Sequence, residues 1–474
     1  MLKFFRINDP YRLLLVFMTM MAIGAAYIVV YPGLTVPELA SMVTGESMRS
    51  DYKLYAEILD PTPFLSAHMF GWFDAWWGRA LIPRHVLSSV ILFIQAAYFG
   101  ILLIRNRAYN ENTYLPAFIF GILCYISFDM IALNGELVAS FLVLFALNNL
   151  FVEIEFKAQK DENILVLGFF LGLSSLLVMS YVLFLPGAIF LMIIYARLSL
   201  RRLGLLLFGF LLPHLLLFGA YYYRGETWAL WTYHYLPNLT WSLPDHVNTR
   251  TLMMLGIIPM IFFFFSLLML NRQARLTKYQ SQLFQVMFWW LVISLMVVLF
   301  DTSLRPQQFI VLIPSFAYFI SHYLLLIRRR WLAEFALFFL VAGVLTTGLA
   351  ARYGKLPGVD YSRLFTRSTL HSPVQGDVCL LAEAPGLLEE RMGHPILSNA
   401  TLTRGLFAKP PTYQQLLFIA KAFEQSPPTQ VYDPEQLLTS FAEQIPAIGS
   451  RYDYNAPWWI RRKEAHQKSE GQPL

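Results

Sequence analysis

Charge is scarce in this sequence. Of its 474 residues, 14% are charged and 57% are hydrophobic. A soluble chain carries about 25% charged residues, so an ordinary soluble domain is excluded and a polytopic membrane protein is expected. Cysteine is nearly absent. Cys124 lies inside an apolar run and Cys379 in a polar tail, which excludes a disulfide framework and leaves no metal-ligand spacing. The net charge is only +6, with no basic low-complexity tail, so no nucleic-acid partner is expected. Nucleotide-cradling glycine motifs and a Ser/His/Asp arrangement are also missing. The acidic loop near the start holds no DxD-type pair, so neither a metal nor a cofactor is expected. The basic start, MLKFFRINDPYR, has no small-residue cleavage site after it and reads as the flank of an uncleaved first span.

Long apolar runs fill the space that charge leaves. A span needs roughly 17–25 apolar residues. The runs at 12–32, 84–104, 114–133, 137–153, 164–180, 182–198, 203–222, 251–270, 283–300, 307–327 and 332–350 give about eleven transmembrane helices. Two pairs meet at very short connections, around Asn134-Gly135-Glu136 and around Ser180. Every second connection is basic: Lys3, Arg6 and Arg12; Arg105 and Arg107; Lys157 and Lys160; Arg197, Arg201 and Arg202; Arg272, Arg275 and Lys278; Arg328, Arg329 and Arg330. By the positive-inside rule these are cytoplasmic. The N-terminus is then cytoplasmic, and the tail from about Ala351 lies outside a bacterial cytoplasmic membrane.

Two long outer connections follow from that orientation. The first, 33–83, contains Glu38, Glu46, Asp51, Glu57 and Asp60. DYKLYAEIL and FLSAHMFGWFDAWWGRA within it have apolar residues near helical spacing and read as helices lying in the interface. The second, 223–250, is rich in Trp, Tyr and Pro, residues that favour the membrane–water boundary. His234 and His246 there could line a groove with Trp228, Trp231, Tyr233 and Trp241, or the aromatics could simply anchor. His214, beside Pro213, reads as a polar contact inside the bundle. Two sequons, at Asn238 and Asn399, matter only in a glycosylating secretory pathway. Residues 1–350 are expected to form the membrane domain and 351–474 a small extracytoplasmic α/β domain. In the latter GDVCLLAE, TQVYD and YNAPWWIRRK read as strands, and TYQQLLFIAKAFEQ as an amphipathic helix.

Carboxylates beside a membrane are expensive to bury, so they are solvated or functional. Those of the opening loop share the outer side with Asp129, Glu136, Asp301 and Arg305. A lone Arg there, against the positive-inside trend, suits phosphate binding through its planar donors; pairing with Asp301 is the other reading. A carboxylate acting as general base on an acceptor hydroxyl, beside an Arg stabilising a phosphate leaving group, describes transfer of a group from a lipid-linked phosphate.

The residues also resemble a family. Glu38, the segment Leu54-Tyr55-Ala56-Glu57, the turn at Asp60 and Pro63, and the helix opening at Leu65-Ser66-Ala67 are similar to the first outer loop of the GT-C-type integral-membrane glycosyltransferases. In particular they resemble the dolichyl- or polyprenyl-phosphate-mannose mannosyltransferase-like branch. LRPQQFIVLIPSFAYFISH resembles that family's Arg-bearing late span, with Arg305 as the match. The opening RINDPYR followed by PEL…GE…Y…P resembles a bacterial membrane-protein group that looks like a divergent GT-C relative. The resemblance implies a polyprenyl-phosphate sugar as donor and membrane lipid as surroundings. It implies Glu38 as the preferred base, with Glu57 and Asp60 also catalytic. Arg305, Tyr55, His68, Glu46 and Asp51 would be substrate-binding. One departure stands out: Pro37 occupies the first position of the family's acidic pair. A non-catalytic scaffold or assembly component of an envelope machine is therefore the competing class. A secondary transporter is disfavoured, since no inverted repeat is visible and few ionisable residues sit at mid-span.

Overall fold

The computed structural model describes residues 2–5, 9–29, 33–50, 52–156, 160–196, 198–240, 245–273, 276–301, 303–366, 372–397, 399–407 and 413–462. Its membrane portion is helical. The helices are α1 (Tyr11–Val29), α2 (Val36–Arg49), α3 (Phe64–Trp77), α4 (Leu81–Arg105), α5 (Leu115–Leu123), α6 (Gly135–Phe156), α7 (Asp161–Leu177), α8 (Phe184–Tyr195), α9 (Leu200–Tyr223), α10 (Thr249–Gln273), α11 (Lys278–Leu299), α12 (Ile313–Leu326) and α13 (Arg330–Arg352). Among the described residues, seven helices are long and apolar enough to cross a membrane: α1, α4, α6, α9, α10, α11 and α13. The other four expected spans correspond to the shorter helices α5, α7, α8 and α12.

Burial separates these helices into shells. Every residue of α5 is buried, and most of α12 is too. In α1, α9 and α13 only 28% of the apolar stretch is buried; their remaining apolar surface is the kind that faces lipid. Without a hydrophobic drive between helices in lipid, close packing needs small residues. Gly168 and Gly172 of α7, four apart, meet the backbone of Leu206 and Phe210 in α9, and Gly209 of α9 meets Leu165 in return. A side chain at any of the three would collide with main chain, so the α7–α9 seam depends on glycine.

Three expected spans break near one end. The run at 114–133 is α5 followed by a 3-10 turn, Phe128–Ile131. The run spanning 164–198 is interrupted by a second, Met179–Leu183. The run at 307–327 begins with a third, Pro306–Val311. Backbone that leaves the α-helix at membrane depth survives only where protein or a cavity satisfies it. The second break lines one cavity through Met179 and Ser180, and the residues next to the other two, Asn134 to Glu136 and Arg305, line it as well.

The opening loop contains two helices, α2 and α3. Of the segment DYKLYAEIL, expected to be helical, residues 52–59 instead form a tight turn with an isolated Leu54–Ile58 bridge and Tyr55 at φ +64°. The helix lies earlier. Thr35 and Glu38 form a reciprocal capping box, with Pro37 in the first turn; such a cap satisfies two orphan N–H groups and starts α2 there.

The C-terminal portion holds a four-stranded sheet of β1 (Val378–Leu380), β2 (Gln430–Tyr432), β3 (Tyr452–Asn455) and β4 (Trp458–Arg461), in the order β1-β2-β4-β3. β1 and β2 are parallel with Cys379 opposite Val431; the other pairs are antiparallel, with Val431 opposite Trp459. Three strands coincide with the expected segments; β3 was not read. The expected amphipathic helix is Tyr413–Gln425. The opening loop is built into this unit. Leu59 joins the core of Cys379, Val431, Phe441 and Trp459, and Leu39 and Val43 of α2 pack on Val378, Leu380 and Leu387.

Candidate functional site

The cavity has a volume of about 820 Å³. Its wall draws on every connection that the charge pattern assigned to the outer side: α2 and the 60–63 turn, the Asn134 and Ser180 connections, the 223–250 loop, the Arg305 connection and the tail. Stretches up to about 365 residues apart in sequence, Val36 and Thr401, thus meet at one place.

Arg305 is held at the start of the third 3-10 turn, with its side chain only 22% exposed. Its Nη2 lies 2.8 Å from Glu136 Oε1, the first-turn acid of α6. Asp301 accepts a hydrogen bond from Gln308 Nε2 at 2.6 Å. Gln307 ties the turn to its neighbours: its backbone N–H donates to Asp129 Oδ2 at 3.0 Å, and its amide to Ala132 O at 2.6 Å. Asn134 donates to Gln307 Oε1 at 2.9 Å. Asp129 and Glu136 thereby fix the Arg305 connection from the first break and from α6. Neither was assigned a role from sequence. Their acid character beside a lone Arg was the available signal.

Asp60 lines the same cavity as Arg305. It is buried, and accepts from the Thr44 hydroxyl, the Thr62 N–H at 2.8 Å and the Thr62 hydroxyl at 2.6 Å. These donors fix the carboxylate in one orientation. The turn carrying it is braced from behind. Tyr55, fully buried, donates to Thr62 O at 2.6 Å and lies 3.2 Å from His234 Nδ1. Asn238 donates to Pro61 O at 2.6 Å, Tyr221 to Leu54 O at 3.0 Å, and Lys53 pairs with Glu226. Burial holds the His234 imidazole down at about 3, so it is neutral near pH 7. His246, on the cavity wall, is lowered to about 4, by burial first and by Arg305 second.

The remaining sequence-selected residues fall elsewhere. Glu38 is a correction: its side chain is buried away from the cavity, while Pro37 lines it. Glu38 Oε2 accepts from Thr35 N–H and hydroxyl at 3.2 and 2.8 Å, and Oε1 lies 2.7 Å from His85 Nε2. The capping box sets that direction, and Thr35-x-x-Glu38 was its unread signature. Glu46 is spent on Arg79, whose Nη2 donates to it at 2.9 Å while Nη1 donates to Leu388 O at 2.7 Å. Glu57 accepts from Lys53 N–H at 3.0 Å and lies 3.6 Å from Lys421 Nζ. His68 contacts Phe64 O within its own helix at 2.9 Å. Tyr55, Glu46, Glu57 and His68 do not line the cavity. Asp51 lies outside the described residues. His214 contacts Ser175 at 2.8 Å and Tyr235 at 3.0 Å, a polar contact between helices. Among the described residues no cluster of three or more His, Cys, Asp or Glu is arranged to hold a metal ion.

The fold has solved counterparts. The chain superimposes on ArnT from Cupriavidus metallidurans, crystallised bound to undecaprenyl phosphate, with a TM-score of 0.55 at 11% identity, covering 92% of this chain and 95% of that one. The Archaeoglobus fulgidus oligosaccharyltransferase in its apo form gives 0.49 at 9% identity, covering 94% of this chain and 73% of that one. The same archaeal enzyme, AglB, in complex with an inhibitory peptide and a dolichol-phosphate, gives 0.46 at 11% identity over 96% and 74%. The ArnT likeness shows the fold, α-helical and polytopic, of GT-C type; the opening loop adds two helices and the C-terminal portion a small α/β unit. Among curated proteins none matches the sequence. At the level of sequence, the model of the family of unknown function DUF6427 matches residues 78–353, and the chain belongs to that family.

Proposed function

We propose that the protein is a glycosyltransferase that moves a sugar from a polyprenyl-phosphate donor to an acceptor on the extracytoplasmic side of a bacterial cytoplasmic membrane. One observation carries the reading: Asp60 and the Glu136–Arg305 pair, 76 and more residues apart in sequence, line one cavity. In this reading residues 1–350 are the membrane domain and 351–474 an outer domain whose surface closes the cavity.

The chemistry follows from the residue types. Asp60 takes the proton from an acceptor hydroxyl as its oxygen attacks the anomeric carbon. The bond between that carbon and the donor phosphate breaks, and its electron pair leaves on the phosphate. Arg305 stabilises the added charge through fixed donors. Asp60 takes the place that the sequence gave to Glu38, because it reaches the cavity and Glu38 does not. No step uses a metal.

The experiment is transfer of radiolabelled sugar from a polyprenyl-phosphate donor to membrane glycans by the purified chain. Asp60→Asn is expected to lower the rate by about 10²-fold or more. Undiminished transfer by Asp60→Asn would sink the assignment. The scaffold reading has its own observation, Pro37 on the cavity wall where the family's acid is expected. Absence of transfer together with a stoichiometric protein partner in native membranes would favour it.

A further inference from the structure

Polar atoms without partners gather beside Arg305. Ser180 Oγ and Tyr181 OH, on the Met179–Leu183 break, are buried and make no hydrogen bond among the described residues. The same is true of Asn134 Oδ1, whose amide nitrogen is committed to Gln307, and of Arg305 Nε. Ser180, Asn134 and Arg305 line the cavity, and both Ser180 and Asn134 are more than nine-tenths buried. Tyr181 follows Ser180 on the same break and stands just behind the cavity lining. Nearly all buried polar groups in proteins are hydrogen-bonded, and each one left alone costs about 1–3 kcal/mol. Three on the lining of one cavity, with a fourth next to them in sequence, are an arrangement kept for something that binds there.

Their chemistry defines the occupant. Two hydroxyls can donate or accept, and one amide oxygen can only accept. An anion alone would be served by the Arg but repelled by the amide oxygen, and would leave the hydroxyls unused as acceptors. A ring carrying neighbouring hydroxyl groups uses all of them. We propose that Asn134, Ser180 and Tyr181 form a subsite for the hydroxyls of a neutral sugar, placed next to the phosphate position at Arg305. This rests on the transferase reading and names the part of the donor that these residues recognise. A site built to hydrogen-bond a hydroxyl rejects analogues that lack it, because its own groups are then left unpaired. Ser180, Tyr181 and Asn134 are therefore specificity determinants for which sugar is carried.

The test uses the full chain in lipid nanodiscs with two probes. One is undecaprenyl phosphate; the other is undecaprenyl phosphate carrying a neutral hexose, mannosyl and glucosyl in turn. With wild type, the better hexose is expected to tighten binding about 10-fold or more over the bare lipid phosphate. Tyr181→Phe and Ser180→Ala are each expected to remove about 5-fold of that gain and leave bare-lipid binding unchanged. Both variants should melt at the wild-type temperature or above, since each deletes an unsatisfied buried group. A purely structural role predicts the reverse, a lower melting temperature with the sugar gain intact. If bare lipid phosphate binds but neither hexose adds affinity, or the gain survives both substitutions, the subsite is overturned and the orphan groups hold water alone. If neither lipid binds wild type, the transferase reading falls and the subsite falls with it.

Discussion

Two arginines in this molecule each face a carboxylate, and their surroundings differ. Arg79 meets both oxygens of Glu46 and also donates to the main-chain oxygens of Leu388, Glu389 and Arg391. All three of its nitrogens are used, and they tie α2 and the start of α4 to the tail. Arg305 touches Glu136 through one nitrogen, keeps Nε without a partner, and sits beside unpartnered Ser180 and Tyr181. The same pair of residue types is a finished joint in one place and an open fixture in the other. An ion pair by itself therefore says little about function; what matters is whether its remaining hydrogen-bonding capacity is consumed.

The contrast can be broken by experiment, beginning where the effect is largest. Arg305→Lys keeps the charge but loses the planar fork; transfer or lipid-phosphate binding is expected to drop at least 10-fold, with the melting temperature nearly unchanged. Arg79→Lys should do the opposite. It forfeits several hydrogen bonds to tail carbonyls and is expected to cost about 2–3 kcal/mol in denaturant unfolding, with faster proteolysis of the tail and normal activity in the folded fraction. If both substitutions change activity and stability alike, the distinction fails.

Glu38→Gln comes next. Because Glu38 serves the α2 cap and His85, its loss is expected to cost about 1–2 kcal/mol while transfer stays within about threefold of wild type. A 100-fold loss of transfer with unchanged stability would return Glu38 to the role of base.

The last effect is on pH. His234, His246 and His394 are buried and held neutral, with values lowered to about 3, 4 and 4. Unfolded histidine titrates near 6.5, so below that pH the unfolded chain binds more protons than the folded one. Stability is expected to be flat above pH 7 and to fall as pH drops from about 6.5 toward 4, by up to about 1.4 kcal/mol per unit for each histidine. A melting temperature that rises on acidification would contradict the neutral assignment.

Much of this fold could be read before the structure. Eleven apolar runs became eleven helical segments because hydropathy is set by composition alone. Arg305 was legible because it is the lone cation of a short outer connection. The direction of a side chain was less accessible. Glu38 and Pro37 are adjacent, yet the cap at Thr35 turns one inward and leaves the other on the cavity. The turn at 52–59 escaped because its apolar spacing suits a helix, whereas burying Tyr55 against His234 and Thr62 requires a positive φ. Ser180 and Tyr181 carried no signal at all: a serine and a tyrosine in an apolar run are ordinary until their partners are counted.

The glycine seam between α7 and α9 has a mechanical consequence. Backbone in direct contact can neither slide nor rotate without collision, so these two helices move as one plate. α7 leads directly into the break that carries Ser180, and α9 leads into the loop that braces Asp60. The Ser180 break and the Asp60 turn are thus mounted on a single rigid support. Any opening of the cavity has to come on another side, and the distance between these two elements stays constant while it does.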